Sequence, residues 1–308
     1  MEKVRPNSGV LFRSRFWCGS RRADLVFLVK VARPGFWTTS AWFYLLPLGR
    51  KPVFASPEFW LGFFYVTLPL GLLIYGWNDL ADAETDRHNP RKGTFLFGAR
   101  GTTEQLNKLP VRILAVQAIF AIVFTLLLGF KALVWFGALV FATAIYNWPP
   151  PGLKGRPPLD MLNQIGYLLV FVLSSWLNKV PQLPLWAFVF GALFAMHSHL
   201  FGQVMDIVPD RLAGRKTTAT SIGLVPAKVI LVAFLLGEAA LVRNFFGDNL
   251  IAGFLALSAL WFALDALVLW RDRLYRPAEM RVFLLGWNAL AVLTMPYVWL
   301  TATLTRAR

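Results

Sequence analysis

Four carboxylates and an amide crowd one short stretch, Asn78-Asp79-Leu80-Ala81-Asp82-Ala83-Glu84-Thr85-Asp86, at the end of a long apolar run. Read as helix, Asn78, Asp82 and Asp86 fall at i, i+4 and i+8. Asp79 stands three residues before Asp82 and seven before Asp86, so all four share one face. Like charges stacked this way repel, and a divalent cation is the economical compensation. Oxygen-only ligands, with no Cys and no ligating His beside them, favour Mg²⁺, Ca²⁺ or Mn²⁺ over zinc. The plain alternative is a solvated acidic helix end. A second pair weighs against it: Asp206 and Asp210 again stand at i, i+4, again at the end of an apolar helix.

The loops that follow supply positive charge. Arg87, Arg91 and Lys92 come after the first motif, and Arg211, Arg215 and Lys216 after the second. A metal together with Lys and Arg around one cavity is the chemistry of a phosphate or diphosphate. The alternative for the basic residues is contact with lipid headgroups. A third feature is the proline-stiffened loop from Tyr146 to Asp160, which presents Lys154 and Arg156 from a defined frame. Asp160 is expected to cap the following helix. Asn163 and Tyr167 continue from it as a polar stripe, facing either the cavity or a neighbouring helix. His197 and His199 point to different faces and do not form a chelating pair. His199 shares the Asp206 face with Gln203, where it either lines the cavity or is a hydrogen-bonded structural histidine. Asp265 is a buried acid with no partner evident in sequence.

The elements that position these groups are membrane helices. The chain of 308 residues is 57% hydrophobic and only 15% charged, with a mean hydropathy of +0.55. No soluble domain of this size needs that much apolar surface, so the composition predicts an all-α, polytopic membrane protein. Nine apolar spans are predicted at 25–48, 58–80, 110–129, 131–148, 160–178, 185–206, 226–244, 249–270 and 283–304. Each approximates the length a helix needs to cross. Lys30, Arg33 and Pro34 interrupt the first, so its crossing is expected to begin near Phe36. The net charge of +15 points to anionic membrane lipids and orientation rather than nucleic acid. Most of the Lys and Arg lie in the N-terminal tail and the loops after even-numbered spans. That bias predicts a cytoplasmic N-terminus and cytoplasmic site loops, with the C-terminus outside. Residues 1–24 read as a basic cytoplasmic tail without a cleaved signal, and 25–308 as one transmembrane domain. The lack of transit-peptide composition suggests a prokaryotic cytoplasmic membrane. The single Cys18 excludes an internal disulfide. A weak repeat, with spans 2 and 6 both ending in aspartates, suggests two four-helix halves and a ninth helix.

Asn78-Asp79-x-x-Asp82-x-x-x-Asp86 together with Asp206-x-x-x-Asp210 resembles the paired signature of the UbiA superfamily of intramembrane prenyltransferases. Arg33-Pro34, the loop from Tyr146 to Asp160, and Asp210-Arg211-x-x-Gly214-x-Lys216-Thr217 extend the likeness over nearly the whole chain; Asn147 and Trp148 depart from the family's loop. The resemblance implies nine helices in one bundle around a central cavity that opens to the lipid. It also implies magnesium held by Asp79, Asp82 and Asp86 from one side and Asp206 and Asp210 from the other, bridging to a prenyl diphosphate. Asn78 would orient the site, with Arg87, Lys92, Tyr146, Lys154, Arg211 and Lys216 around the diphosphate. Asn163, Tyr167, His199 and Gln203 would line the cavity on the acceptor side. Loss of diphosphate would leave an allylic cation for a hydrophobic acceptor to attack. The run Asp86-Arg87-His88-Asn89-Pro90-Arg91-Lys92-Gly93 departs from the pattern of members that prenylate hydroxybenzoate. With Tyr75-Gly76-x-Asn78-Asp79 it looks more like the lycopene elongases, so the expected acceptor is lycopene or a related carotenoid. Aromatic quinone precursors and chlorins are the alternatives, as are members that hydrate or cyclise. Outside the class stand a transporter of anionic lipid or phosphate and a structural protein with lipid-binding loops. Magnesium-dependent diphosphate release separates the enzyme from both.

Overall fold

Apolar length and helix-terminal punctuation account for nearly all of the architecture. A computed structural model describes residues 22–84, 86, 89–149 and 151–306. The basic tail therefore lies, through residue 21, outside the described residues. Residues 22–31 form α1. A 3₁₀ turn at Pro34–Phe36 leads into α2 (Trp37–Leu45), which ends in a second 3₁₀ turn at Leu46–Leu48. Then come α3 (Pro57–Ala81), α4 (Thr103–Leu128), α5 (Phe130–Asn147), α6 (Leu159–Leu177) and α7 (Leu185–Leu212). The short α8 (Thr218–Ile222) precedes α9 (Leu224–Phe246), α10 (Asn249–Leu269) and α11 (Pro277–Thr301). Among the described residues no strand forms, and 8 helices are long and apolar enough to cross a membrane.

The predicted first span differs from the other eight. Arg33 adopts left-handed backbone, with φ 49° and ψ 73°, immediately before Pro34. Proline disfavours helix at the residue before it and cannot donate to the preceding turn. The apolar stretch 25–48 therefore arrives as two pieces. α1 stays at the aspartate end, where Asp24 accepts from Arg112 at 2.5 Å. Residues 34–48 then carry the chain to the far end, where the Arg50 amide donates to Trp299 O.

Caps fix the other entries. Ser56 accepts from the Phe59 amide at the start of α3, and Thr102 and Gln105 form a reciprocal capping box on α4. Aromatic packing then sets helix spacing: Tyr65 of α3 meets Phe120 and Phe124 of α4 and Trp135 and Phe136 of α5.

Two polar pairs are sealed between helices. His197 Nδ1 lies 2.6 Å from Glu238, joining α7 to α9. Lys228 donates to Asp265 at 2.9 Å and to the Arg271 carbonyl at 3.0 Å, and Tyr275 donates to the other Asp265 oxygen. Asp265 thus has a partner that sequence spacing did not reveal, 37 residues away on α9. Both members are fully buried. Removing one charge strands the other, so Lys228→Met is expected to destabilise the fold by about 3–5 kcal/mol. Thermal unfolding in detergent should show Lys228→Met well below wild type, with the double variant Lys228→Met/Asp265→Leu recovering most of the loss.

Candidate active site

The first aspartate motif does not continue as helix. α3 ends at Ala81, and Asp82 is its C-cap with φ −106° and ψ 8°. The Asp82 amide still donates to Asn78 O, and the Asp86 amide to Asp82 O, so one loose turn follows. The single-face reading of four residues is therefore corrected: Asp82 diverges from Asp79 and Asp86. Asp79 and Asp86 face one cation, Lys92, at 2.5 and 2.6 Å. Asp82 faces the other way, to Lys154 at 2.6 Å and to Arg215. Asn78 is half-buried one turn before Asp82.

Chain reversals deliver the cations. Asn89 Oδ1 accepts from the Arg91 amide at 3.1 Å, an Asx turn, while its Nδ2 donates to Asp206 at 3.3 Å. Arg91 thereby pairs with Asp206. A tight hairpin follows, Gly93 donating to Gly98 O and Gly98 to Thr94 O, and it backs Lys92 onto Asp79. Arg33, freed by the break after α1, donates to Asp79 Oδ1 at 2.7 Å. At the second motif, Gly214 takes φ 66° and the Arg215 amide donates back to Asp210 O, a glycine-terminated helix end. That reversal folds the Arg215 guanidinium over Asp210 at 3.4 Å and onto Asp82. Arg215 is thus the link between the two motifs. Arg211 and Lys216 are exposed and make none of these ion pairs. Arg87 lies outside the described residues.

Gly98 is a position where a side chain cannot be added freely. Its φ is 103°, and a Cβ there would stand 3.0 Å from Arg33 Nε and 3.5 Å from Lys92 Nζ. Gly98→Ala is expected to cost about 1–3 kcal/mol of stability through backbone strain. It should also displace both cations, lowering turnover about tenfold or more. Thermal unfolding and turnover of the same purified variant check both effects.

The third predicted feature joins the same cluster. Gly152 holds φ 61° where a Cβ would meet Tyr146 O at 2.3 Å, so only glycine lets the loop turn back. Lys154, buried by that turn, reaches Asp82 and also donates to Asn147 Oδ1 at 3.2 Å. Asp160 does not cap α6, whose N-cap is Pro158. Instead it accepts from Gln203 at 2.7 Å and from the Thr218 amide and hydroxyl at 2.7 and 2.6 Å, tying α6 to α7 and α8. Gln203 also touches His199 Nε2 at 3.0 Å, and Tyr146 OH lies 3.3 Å from that same nitrogen. Asn163 spends its amide on Ala142 O of α5, the interhelical alternative. Tyr167 donates to Tyr75 OH at 3.2 Å, one turn below Asp79. The Arg33 guanidinium sits 4.6 Å above the Tyr75 ring, and Phe36 lies 5.6 Å from it. An aromatic wall therefore adjoins the carboxylates.

The electrostatics follow from burial and pairing. Burial opposes the Asp82 carboxylate, but Arg215 and Lys154 hold it below the usual carboxylate range. Burial raises Asp86, aided by the Asp79 and Asp82 charges and opposed by Lys92. Burial lowers Lys154 despite Asp82, while Asp82 and Asp210 raise Arg215 against its burial. Asp79, Asp82, Asp86, Asp206 and Asp210 are thus interleaved with Arg33, Arg91, Lys92, Lys154 and Arg215. Because cations sit between them, no three acidic or imidazole groups converge as a metal cluster among the described residues. The donor set still fits a hard divalent ion: it is all carboxylate, and Asp79 Oδ2 is buried with no hydrogen-bond partner. A cavity of about 210 Å³ reaches both Asp79 and Asp86.

Residues 36–290 match the UbiA prenyltransferase family. The chain belongs to that family. It is a prenyltransferase and an integral, multi-pass membrane protein. Similar curated proteins include lycopene elongase/hydratases. One from Haloarcula japonica is 31% identical over 204 residues, covering 65% of this chain and 68% of the relative. One from Halobacterium salinarum is 33% identical over 213 residues, covering 64% and 71%. One from Corynebacterium glutamicum is 28% identical over 251 residues, covering 78% and 83%. Among solved structures, a UbiA homologue from Archaeoglobus fulgidus bound to DMAPP and Mg²⁺ superposes with a TM-score of 0.70 at 16% identity, covering 88% of this chain and 97% of that one. At that identity the likeness concerns the fold of this UbiA-family chain.

The residues that spacing alone did not single out are Asn89, Thr218 and the particular arginines. Arg33 had a signal, a cation before proline inside an apolar run. Arg91 and Arg215 stood among several cations of similar position, and nothing local ranks them.

Proposed function

We propose that this protein moves a prenyl group from an isoprenoid diphosphate to lycopene or a related carotenoid, with Mg²⁺ as cofactor. The observation that carries the reading is Arg215 joining Asp82 of the first motif to Asp210 of the second beside an aromatic wall. The cluster is already balanced in charge, so an incoming diphosphate brings excess negative charge to a buried site. Bound Mg²⁺ supplies that missing positive charge and Lewis-acid stabilisation of the leaving group. Asp79, Asp82 and Asp86 from α3 and the turn after it, with Asp206 and Asp210 from α7, would hold it. Arg33, Arg91, Lys92, Lys154 and Arg215 exchange carboxylate partners for diphosphate oxygens, where fixed cations act without reorganising solvent. Tyr75, Tyr167 and Phe36 present π faces to the allylic cation and exclude water from it.

Support for the donor comes from the homologues of the same fold, solved with DMAPP and with GPP together with Mg²⁺. Support for the acceptor comes from the lycopene elongase/hydratase relatives. The charge distribution supports site loops on the cytoplasmic face. Aromatic or chlorin acceptors are the alternative within the family.

Expression in a lycopene-producing host that also makes dimethylallyl diphosphate, followed by pigment mass analysis, tests the reading. Species heavier by one or two five-carbon units are expected. Unchanged lycopene, with the protein present in the membrane, would overturn the acceptor assignment.

A further inference from the structure

A polar cavity lies at the end of the bundle opposite the aspartates. It measures about 620 Å³ and is bounded by the turn after α2, the α6–α7 and α9–α10 connections, and the end of α11. Among the described residues, Arg50, Lys51 and Arg306 line it against a single carboxylate, Asp248. That carboxylate is already engaged: Oδ1 accepts from the Ile251 amide at 3.0 Å and Oδ2 from Tyr297 OH at 3.0 Å. The cavity therefore holds a surplus of positive charge on the membrane face that is otherwise poor in it.

Three of the six described non-glycine residues with positive φ lie here, the others being Arg33, Lys179 and Arg271. Arg50 (φ 58°), Ala302 (φ 56°) and Leu304 (φ 66°) all occupy left-handed backbone, and all three line this cavity. Such conformations cost free energy in non-glycine residues, and at Ala302 the left-handed residue is the C-cap of α11. At Arg50 the consequence is visible: Nε donates to Leu300 O at 2.8 Å, which anchors the guanidinium against the end of α11. The helices that border the cavity expose apolar side chains. Leu250, Leu257, Leu293 and Leu300, on α10 and α11, are exposed apolar residues along which acyl chains can lie. Trp186 and Phe245 stack at 3.8 Å near this end, in the manner of an interfacial aromatic belt.

We propose that this cavity binds the phosphate of an anionic phospholipid headgroup, with Arg50, Lys51 and Arg306 as its counter-charges. Binding of this kind is independent of the prenyl-transfer site and of its acceptor. Native mass spectrometry of the full chain, released from nanodiscs of mixed phosphatidylglycerol and phosphatidylcholine, is the test. Wild type is expected to retain phosphatidylglycerol preferentially. The triple variant Arg50→Gln/Lys51→Gln/Arg306→Gln should lose that preference by roughly tenfold or more. A matched variant, Lys131→Gln/Lys179→Gln/Arg243→Gln, removes the same charge from the same membrane face outside the cavity and should keep it. Thermal unfolding in pure phosphatidylcholine should be alike for all three proteins. Equal loss in both variants, or none in the first, would overturn the proposal. Displacement of phosphatidylglycerol by millimolar inorganic phosphate would support the phosphate contact. Stabilisation by inorganic phosphate with no phosphatidylglycerol retained would overturn the lipid as its source.

Discussion

Asp79→Asn is expected to abolish magnesium-dependent release of diphosphate, lowering turnover at least about a hundredfold while the protein still folds. The substitution conserves shape and leaves an oxygen for Arg33 and Lys92, which now meet Oδ1 at 2.7 and 2.5 Å. What it removes is the negative charge and the second carboxylate oxygen, the one that is buried without a hydrogen-bond partner. A purely structural role for Asp79 predicts the opposite pattern, with stability lost and turnover per folded molecule retained. Diphosphate release from a prenyl diphosphate, measured against thermal unfolding of the same preparation, separates the two. Wild-type release by the folded variant would remove Asp79 from the metal site.

Arg215→Gln is expected to lower turnover by about a hundredfold as well, through a different route. Arg215 is the one side chain among the described residues that pairs with carboxylates of both motifs. Its loss leaves Asp82 with Lys154 and lets Asp210 move independently. Arg215→Lys should recover only part of the activity, since the single ammonium nitrogen cannot span Asp82 and Asp210 as the two terminal nitrogens of a guanidinium do. Arg211→Gln and Lys216→Gln, at exposed positions beside it, should stay within about threefold of wild type. Kinetics of these four variants at saturating and limiting prenyl diphosphate test the ranking. Equal losses at Arg211 and Arg215 would show that the local charge matters and the bridge does not.

The contrast between Arg211 and Arg215 shows where sequence reasoning stops. All three cations after the second motif are near Asp210 along the chain. α7 runs on to Leu212, which turns Arg211 outward, and Gly214 then reverses the backbone so that Arg215 returns to Asp210. A glycine followed by a cation is compatible with many turns, and only the packed helix end selects this one. The same holds for Asp160. Its position at the start of a predicted helix suggested a cap, yet its partners are Gln203 and Thr218, from segments that reach it through the tertiary fold.

By itself the sequence determined the membrane architecture, the two acidic motifs and the family, because span length, carboxylate spacing and motif order are local properties of the chain. The break at Arg33-Pro34 was legible for the same reason. The tertiary structure alone decided which cations meet which carboxylates, that Asp82 turns away from Asp79 and Asp86, and that Lys228 neutralises Asp265. Each of those pairings depends on chain reversals and helix register. Coulomb attraction in a buried site selects whichever opposite charge the fold brings within a few ångströms, however far apart the two residues lie in sequence.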